Sequence, residues 1–325
     1  MRTITKTHTG IIVSDDELKL EYLYVGDYGK ENNIKADFLG YKKRIDKVEH
    51  KDVNIEDKLV VTVSSQKGCP MDCDFCDCPK YGFHGNCSAV EMMSEITTGI
   101  ALSGIKQGKR LNIHFARMGE PTLNPDVMKV AILIAVMNDP VICADHIFNF
   151  DEYHPVVSTM MPKGHNGLER FLQEWVMRGR VYGGKDGFGL QFSINTLDEE
   201  DRDRMFRNRS LSLREIGDII SRLPVPKGRK YTLNFAVTSK SNLDPSLMDK
   251  YFDKEKCIVK ITPVHETHEA VANGYEIVKS FDVYERFEKP LVEAGWEVIV
   301  FIPSEEEDKD RITCGNALIA SSSYV

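Results

Sequence analysis

Leu59-Val-Val-Thr-Val-Ser-Ser-Gln-Lys-Gly-Cys69-Pro-Met-Asp-Cys73-Asp-Phe-Cys76 is the stretch on which the reading of this 325-residue chain turns. Leu59–Ser65 is a β-rich run that leads straight into three cysteines spaced C-x3-C-x2-C. Three thiolates on one short loop can ligate three irons of a cubane and leave the fourth iron without a protein ligand. The alternative is a structural zinc site. Zinc motifs usually come as paired C-x2-C units or with a downstream histidine pair, and here Cys78 and His84 can supply the missing donors. Both readings stand at this point.

Downstream of the loop the texture is one of alternating strands and helices. Ser88-Ala-Val-Glu91 has capping-box spacing, and Val90, Met93, Ile96 and Ile100 then recur at helical intervals. Leu111–Phe115 alternates as a strand, and Asn124-Pro125 reads as a cap followed by proline before the apolar helix Asp126–Met137. Further strand-like runs are Pro155–Met160, Gly189–Ile194, Tyr231–Val237, Ile258–Thr262 and Glu297–Ile302. Helix-like stretches are His165–Met177, Ser212–Arg222, Asp244–Phe252 and Phe281–Ala294, the last kinked or ended by Pro290 and stopped by Gly295. Six or more βα units in series predict an α/β fold, a partial (β/α)6 TIM-like barrel. The cysteine loop follows its first strand, at the carboxyl end where barrel sites lie. Residues 1–57 lack helical periodicity and read as a small N-terminal β appendage, leaving 58–325 for the barrel and a C-terminal segment.

Composition narrows the class. Net charge is −8 and the pI about 5.7, against the basic balance of a dedicated nucleic-acid-binding domain. The opening residues are polar, without the apolar core of a signal peptide, and no apolar run is long enough to span a membrane. The chain reads as cytoplasmic, where clustered cysteines more often bind metal than pair covalently. Cys78 and Cys87 read as incidental thiols, and Cys143 and Cys257 as core. The basic groups at Arg202–Arg209 and Lys227–Lys230 read as solvated faces in preference to phosphate contacts.

Several motifs, taken in order, resemble a known family. They are Val63-Ser-Ser-Gln-Lys-Gly-Cys69, Met118-Gly119-Glu120-Pro121-Thr-Leu-Asn124, Val157-Ser158-Thr159, Phe192-Ser193-Ile194-Asn195, Ile261-Thr262-Pro263-Val264-His265 and Thr313-Cys314-Gly315. Together they resemble the radical S-adenosylmethionine (SAM) adenine C2/C8 methyltransferases of rRNA and tRNA, the RlmN/Cfr type, from about Leu59 to Leu318. The resemblance implies a [4Fe-4S] cluster on Cys69, Cys73 and Cys76, with the aromatic Phe75 before the last ligand. It implies SAM contacts at Gly119, Glu120, Ser158, Ser193, Ile194, Asn195 and His265, and a methyl-carrying Cys314. It also implies a reductant such as flavodoxin or ferredoxin, and a substrate that is RNA, a nucleotide or a small molecule.

Three departures accompany the resemblance. The family's second cysteine, seven residues before the first cluster ligand, is Thr62 here. Asn195 and His265 stand where the family usually has histidine and asparagine. The family's N-terminal helical RNA-binding domain has no counterpart in residues 1–57. For Glu120 the alternative is a turn cap, and for Cys314 a small buried thiol. Ser193 and Asn195, alternating with Phe192 and Ile194, are expected on one strand face toward the barrel interior.

Overall fold

The computed structural model describes residues 2–8, 10–25, 55–139, 141–143, 148–276, 278, 282–302, 307, 309–313 and 315–317. The N-terminal segment forms β1 (Arg2–Lys6), β2 (Gly10–Asp15) and β3 (Leu20–Val25). Then come β4 (Leu59–Val63), the short pair β5 (Gln66–Gly68) and β6 (Phe83–Asn86), α1 (Ala89–Ser103), β7 (Gly108–Phe115) and α2 (Asp126–Met137). β8 (Phe150–Thr159), α3 (Leu168–Tyr182), β9 (Gly189–Ser193), α4 (Glu199–Met205), α5 (Leu213–Arg222) and β10 (Tyr231–Val237) continue the alternation. α6 (Pro245–Tyr251), β11 (Cys257–Pro263), α7 (His268–Ala272), α8 (Lys289–Glu293) and β12 (Val298–Val300) complete it.

Ten strands form one sheet in the order β1-β2-β3-β4-β7-β8-β9-β10-β11-β12. From β4 to β12 every neighbour is parallel, which requires the crossover helices that the sequence pattern predicts. In the appendage the described residues 2–8 and 10–25 form β-strands, as expected. They are not a separate layer but an antiparallel extension, with β3 paired to β4 through Leu23↔Thr62 and Val25↔Val60. Among the described residues no pairing closes β12 onto β1, so the barrel is open.

The local chemistry explains the element ends. Ser88 and Ser212 each close a full capping box with Glu91 and Glu215. Asp244 accepts from Ser246 N ahead of Pro245, and Asn124 Oδ1 accepts from Asp126 N at 3.0 Å across Pro125. The helix expected over Phe281–Ala294 is present from residue 282 to 293, with a π-turn (Tyr284–Glu288) within it running into α8. Proline has no N–H to give, and Pro290 in the first turn of α8 is met by a widened turn rather than a break.

Odd-numbered residues of β4, β7, β8, β10 and β11, and even-numbered ones of β9 and β12, face the helices. Leu59, Val61, Leu111, Ile113, Phe115, Val157, Leu233, Phe235, Val259 and Ile261 are all fully buried in one core, joined from α1–α3 by Met92, Ile96, Val130, Leu172 and Trp175. The intervening residues occupy the opposite, inner face, and most of them are polar.

Candidate active site

The cysteine loop leaves β5 and ends in a 3-10 turn at Cys78–Tyr81. Asp72 takes the left-handed conformation (φ 53°) between Cys69 and Cys73, and Cys76 N donates to Cys73 O at 3.2 Å. All three cysteines are half-buried. The neighbouring Cys78 and then burial hold the Cys76 thiol well above its usual range, and burial pushes Cys69 up to about 12. Such a set ionises only with a cation to receive it, because a coordinating metal deprotonates a thiol outright. The donor chemistry therefore fits an iron–sulfur cluster.

The loop is clamped from several elements. Asp74 N donates to Met205 O (3.0 Å), and Tyr275 Oη and Asn273 Nδ2 donate to Asp74 Oδ1 and O (both 2.6 Å). Phe75 meets Phe206 edge-on at 5.7 Å and accepts from Thr267 Oγ1 on its carbonyl (2.8 Å). The C-terminal segment closes the other side. Asp77 N donates to Gly315 O at 2.9 Å, and Cys76 Sγ lies 3.7 Å from the same oxygen. A Cβ at Gly315 would sit 3.3 Å from Thr267 and 3.6 Å from Phe75 O, at a φ of 88° that side chains rarely adopt. The fully buried Arg117–Glu21 ion pair, which also binds the carbonyls of Arg311, Ile312 and Thr313, fastens that segment to β3.

The zinc alternative loses its donors. Cys78 Sγ is engaged by Arg117 O (3.4 Å), whereas His84 is exposed and its Nε2 meets Tyr81 O (3.0 Å). Among the described residues no three His, Cys, Asp or Glu side chains converge closely enough to hold one ion. A mononuclear zinc site needs four donors at one point.

Beside the loop, the ends of β7, β8 and β9 bring Glu120, Ser158 and Ser193 to one rim. Gly119, at φ 96°, allows the turn to press on Gln66, where a Cβ would lie 2.5 Å from the glutamine side chain. Gln66 Oε1 in return accepts from Glu120 N (2.8 Å). The Glu120 carboxylate is buried. It accepts from Thr122 N (3.1 Å), Thr122 Oγ1 (2.7 Å) and Met160 N (2.9 Å). Burial raises its pKa against these bonds, which lower it. Glu120 therefore does cap the turn, and with the Thr159 side chain as a further donor its acceptor positions are met within the protein. Ser158 Oγ accepts from Gln191 Nε2 at 3.2 Å, and Ser193 is the next inner-face residue along β9.

Comparison with known proteins bears on this arrangement. No family model matches the chain. It is 28% identical over 200 residues to a dual-specificity RNA methyltransferase RlmN of Nautilia profundicola, covering 60% of this chain and 51% of that one. It is 30% identical over 184 residues to a probable RlmN of Phocaeicola vulgatus, covering 56% and 45%. The chain thus spans about half the length of the curated relatives it matches. A radical SAM methyltransferase structure from Sphaerobacter thermophilus superposes with a TM-score of 0.63 at 17% identity, covering 98% of this chain and 81% of that one, which shows a common fold. The chain is thus similar to the RlmN-type methyltransferases and shares the fold of a radical SAM methyltransferase.

Against this RlmN-type pattern the individual residues divide. The strand expected to carry Ser193 and Asn195 on one face ends at Ser193. Asn195 turns left-handed (φ 64°), and its Oδ1 accepts from Ala236 N at 3.3 Å. Ile194 is fully buried in the core, with its N–H given to Asn234 O (2.8 Å) and its carbonyl taken by Arg202. His265 is half-buried just beyond β11. Cys314 lies outside the described residues.

The expected solvated face at Arg202–Arg209 holds for the exposed Arg204, Arg207 and Arg209 and is corrected at Arg202. Arg202 is 1% exposed, lies over Phe206 (4.7 Å) and donates to the carbonyls of Ser193 (3.0 Å), Ile194, Met160 (3.4 Å) and Leu211 (3.1 Å). Arg209 Nη1 donates to Pro70 O in the cysteine loop (2.6 Å). Five planar donors suit a junction of carbonyls, but nothing in the local sequence separates Arg202 from its neighbouring arginines. Cys257 is core, as read. Cys143 is not, being half-buried beside Ile142, which is 63% exposed.

Proposed function

We propose that this chain is a radical SAM enzyme, a methylase of the RlmN type or a diverged relative. The observation that carries the reading is the three-cysteine loop, set after the first parallel strand and clamped by Phe206, Thr267 and Gly315. Cys69, Cys73 and Cys76 would hold the [4Fe-4S] cluster, with SAM across the rim at Glu120, Ser158 and Ser193. Bound there, the cluster would supply the electron that cleaves SAM to a 5′-deoxyadenosyl radical. The chain's own part is orientation. Glu120 holds the turn after β7 in place, the serine hydroxyls face the inner side, and Arg202 fixes the strand ends that carry them.

A second reading, direct hydrogen abstraction without methyl transfer, is favoured by Thr62. It stands in register with His114 on the inner face, where the RlmN-type enzymes carry their resolving cysteine. A threonine hydroxyl is hardly ionised at neutral pH and forms no stable oxygen counterpart of a disulfide, so release of a covalent adduct through Thr62 is closed. Methylation of intact rRNA by a two-cysteine route is therefore not expected. Formation of 2- or 8-methyladenosine in rRNA fragments over many turnovers, lost in Cys314→Ala, would show otherwise.

The test is anaerobic incubation of reconstituted protein with SAM and a reductant, followed by mass spectrometry. S-adenosylhomocysteine together with 5′-deoxyadenosine marks methyl transfer, and 5′-deoxyadenosine alone marks direct abstraction. Neither product, in protein with full iron and sulfide content, overturns both. Cys69→Ala, Cys73→Ala and Cys76→Ala are each expected to bring iron and sulfide to background, since two thiolates do not retain a cubane with an open iron. Full cluster content in any one of them removes that cysteine from the site.

A further inference from the structure

The cysteine loop carries one thiol more than the cluster calls for. Cys78 follows Cys76 after a single residue, so the whole run is C-x3-C-x2-C-x-C. Nor is Cys78 remote from the others. It forms an apolar cluster with Met118 and Ala317, and Cys69 and Cys76 pack against that cluster. A fourth thiolate ligand would occupy the iron that has to stay open for SAM. Two like cysteines, two positions apart, must therefore be told apart by the chain around them.

The residue between them is Asp77, which is fully buried and has all its polar groups engaged. Its N–H goes to Gly315 O (2.9 Å), and its carbonyl accepts from Lys80 N (3.0 Å). Its carboxylate reaches out of the loop. Oδ1 accepts from Glu269 N (3.0 Å) and Oδ2 from His268 N (3.4 Å). These are the first N–H groups of α7, which have no partner within a helix. Arg311 Nη1 of the C-terminal segment stands 3.5 Å from Oδ2, while Arg311 Nη2 meets His268 Nε2 at 2.7 Å. Arg311 O in turn accepts from the buried Arg117 (3.0 Å).

One side chain thus pins the loop, at the point between the two thiols, to α7 and to the C-terminal segment. On either side of that point the thiols part. Cys76 stays half-buried, with Sγ 3.7 Å from Gly315 O. Cys78 enters the 3-10 turn ahead of Pro79, is 2% exposed and has Sγ 3.4 Å from Arg117 O. The turn itself uses only the backbone carbonyl of Asp77, which any residue supplies, and takes no bond from the side chain. The carboxylate serves the two outside elements alone. Groups behind a metal ligand commonly set its orientation.

We propose that Asp77 is a positioning residue that sorts the thiols: by fastening the chain between Cys76 and Cys78 to α7 and the C-terminal segment, it leaves Cys76 as the third ligand and holds Cys78 on Arg117 O, out of the ligand set. The proposal rests on the cluster reading above and adds the residue that keeps one iron free.

The test compares Asp77→Ala, Cys78→Ser and the double variant with the wild type, each reconstituted anaerobically with iron and sulfide. Iron content, SAM affinity and the effect of SAM on the electron paramagnetic resonance spectrum of the reduced cluster are measured. Wild type and Cys78→Ser are expected to behave alike, with full iron and a spectrum that SAM shifts. Asp77→Ala is expected to hold iron, lose the shift and bind SAM about tenfold or more weakly, and the double variant to regain both. Recovery on removing a thiol is a result that a merely structural role of Asp77 does not produce. The proposal is overturned by loss of iron or of the SAM shift in Cys78→Ser, by an Asp77→Ala variant equal to wild type, or by a double variant as impaired as Asp77→Ala. If Asp77→Ala does not fold, Arg311→Met loosens the same carboxylate from the other side, with the same loss and the same rescue expected. Alkylation of the metal-free wild type is a further check. Cys78 should react about tenfold more slowly than Cys76, in keeping with its burial, and equal rates overturn the sorting. Wild-type protein that takes up no iron brings down the cluster reading and the proposal together, whereas any failure above in iron-replete wild type is confined to Asp77.

Discussion

The two faces of the parallel sheet are made by the same strands and obey opposite rules. On the helix side, β4 presents Leu59, Val61 and Val63, and β10 presents Leu233, Phe235 and Val237, all fully buried. On the inner side, the intervening residues are Val60 and Thr62, and Thr232, Asn234 and Ala236. One face holds the molecule together by removing apolar area from water, at roughly 25 cal/mol per Å². The other contributes little of that kind and gathers hydrogen-bonding and cationic groups at a cost in stability. The period-2 geometry of a strand lets stability and function be assigned to alternate residues of a single segment.

The contrast can be broken most easily on the helix side. Phe235→Ala is expected to lower unfolding free energy by about 3–5 kcal/mol, the usual range for a fully buried phenylalanine, read from urea transitions. A loss under about 1 kcal/mol would mean that the helix-side core is not continuous. Next is Arg202→Met at the rim, which strands several carbonyls together. A loss of about 3 kcal/mol or more is expected, with weaker SAM binding as the ends of β8 and β9 loosen.

The inner face should instead show itself through pH. Lys58 titrates at about 8 in the folded protein, below its ordinary value of 10.5. Between those values the unfolded chain holds a proton that the folded protein has released, so stability rises with pH through that window. Lys58→Met is expected to be more stable than wild type at pH 7, and the gap should narrow above pH 8. His114, at about 3 against 6.5, gives a second window. Stability falls as pH drops from 6.5 toward 3, and His114→Gln flattens that slope. Denaturant midpoints at pH 5, 7, 9 and 10 test both. A gap independent of pH would mean that Lys58 is fully solvated. Smallest of all, Ser158→Ala is expected to change stability by under about 0.5 kcal/mol while weakening SAM binding. An equally small effect on SAM affinity would take Ser158 out of the site.

How much of this was legible in the sequence follows the range of the interaction. The capping box at Ser88, the Asp244-Pro245 start and the bounds of α2 are set within four residues, and the sequence pattern finds them. The cysteine loop is equally local. Arg202 is not, because its partners at Met160 and Ser193 lie on other strands. Nor is the Glu21–Arg117 pair, whose members are 96 positions apart. Asn195 escaped because its left-handed turn ends a strand whose polar–apolar alternation continues on paper.

The strap across the cysteine loop gives the site a history in time. Cys76 and the oxygen it meets on Gly315 are 239 positions apart. At 5–20 residues per second, a ribosome needs on the order of 10–50 seconds to travel that distance. All three cysteines therefore leave the ribosome long before the segment that covers them exists. During synthesis the loop is a bare, three-thiol strip on a half-built sheet, open to whatever delivers iron and sulfide, and equally open to oxidants. Chains stalled short of residue 311 should accept and surrender iron more readily than the finished protein.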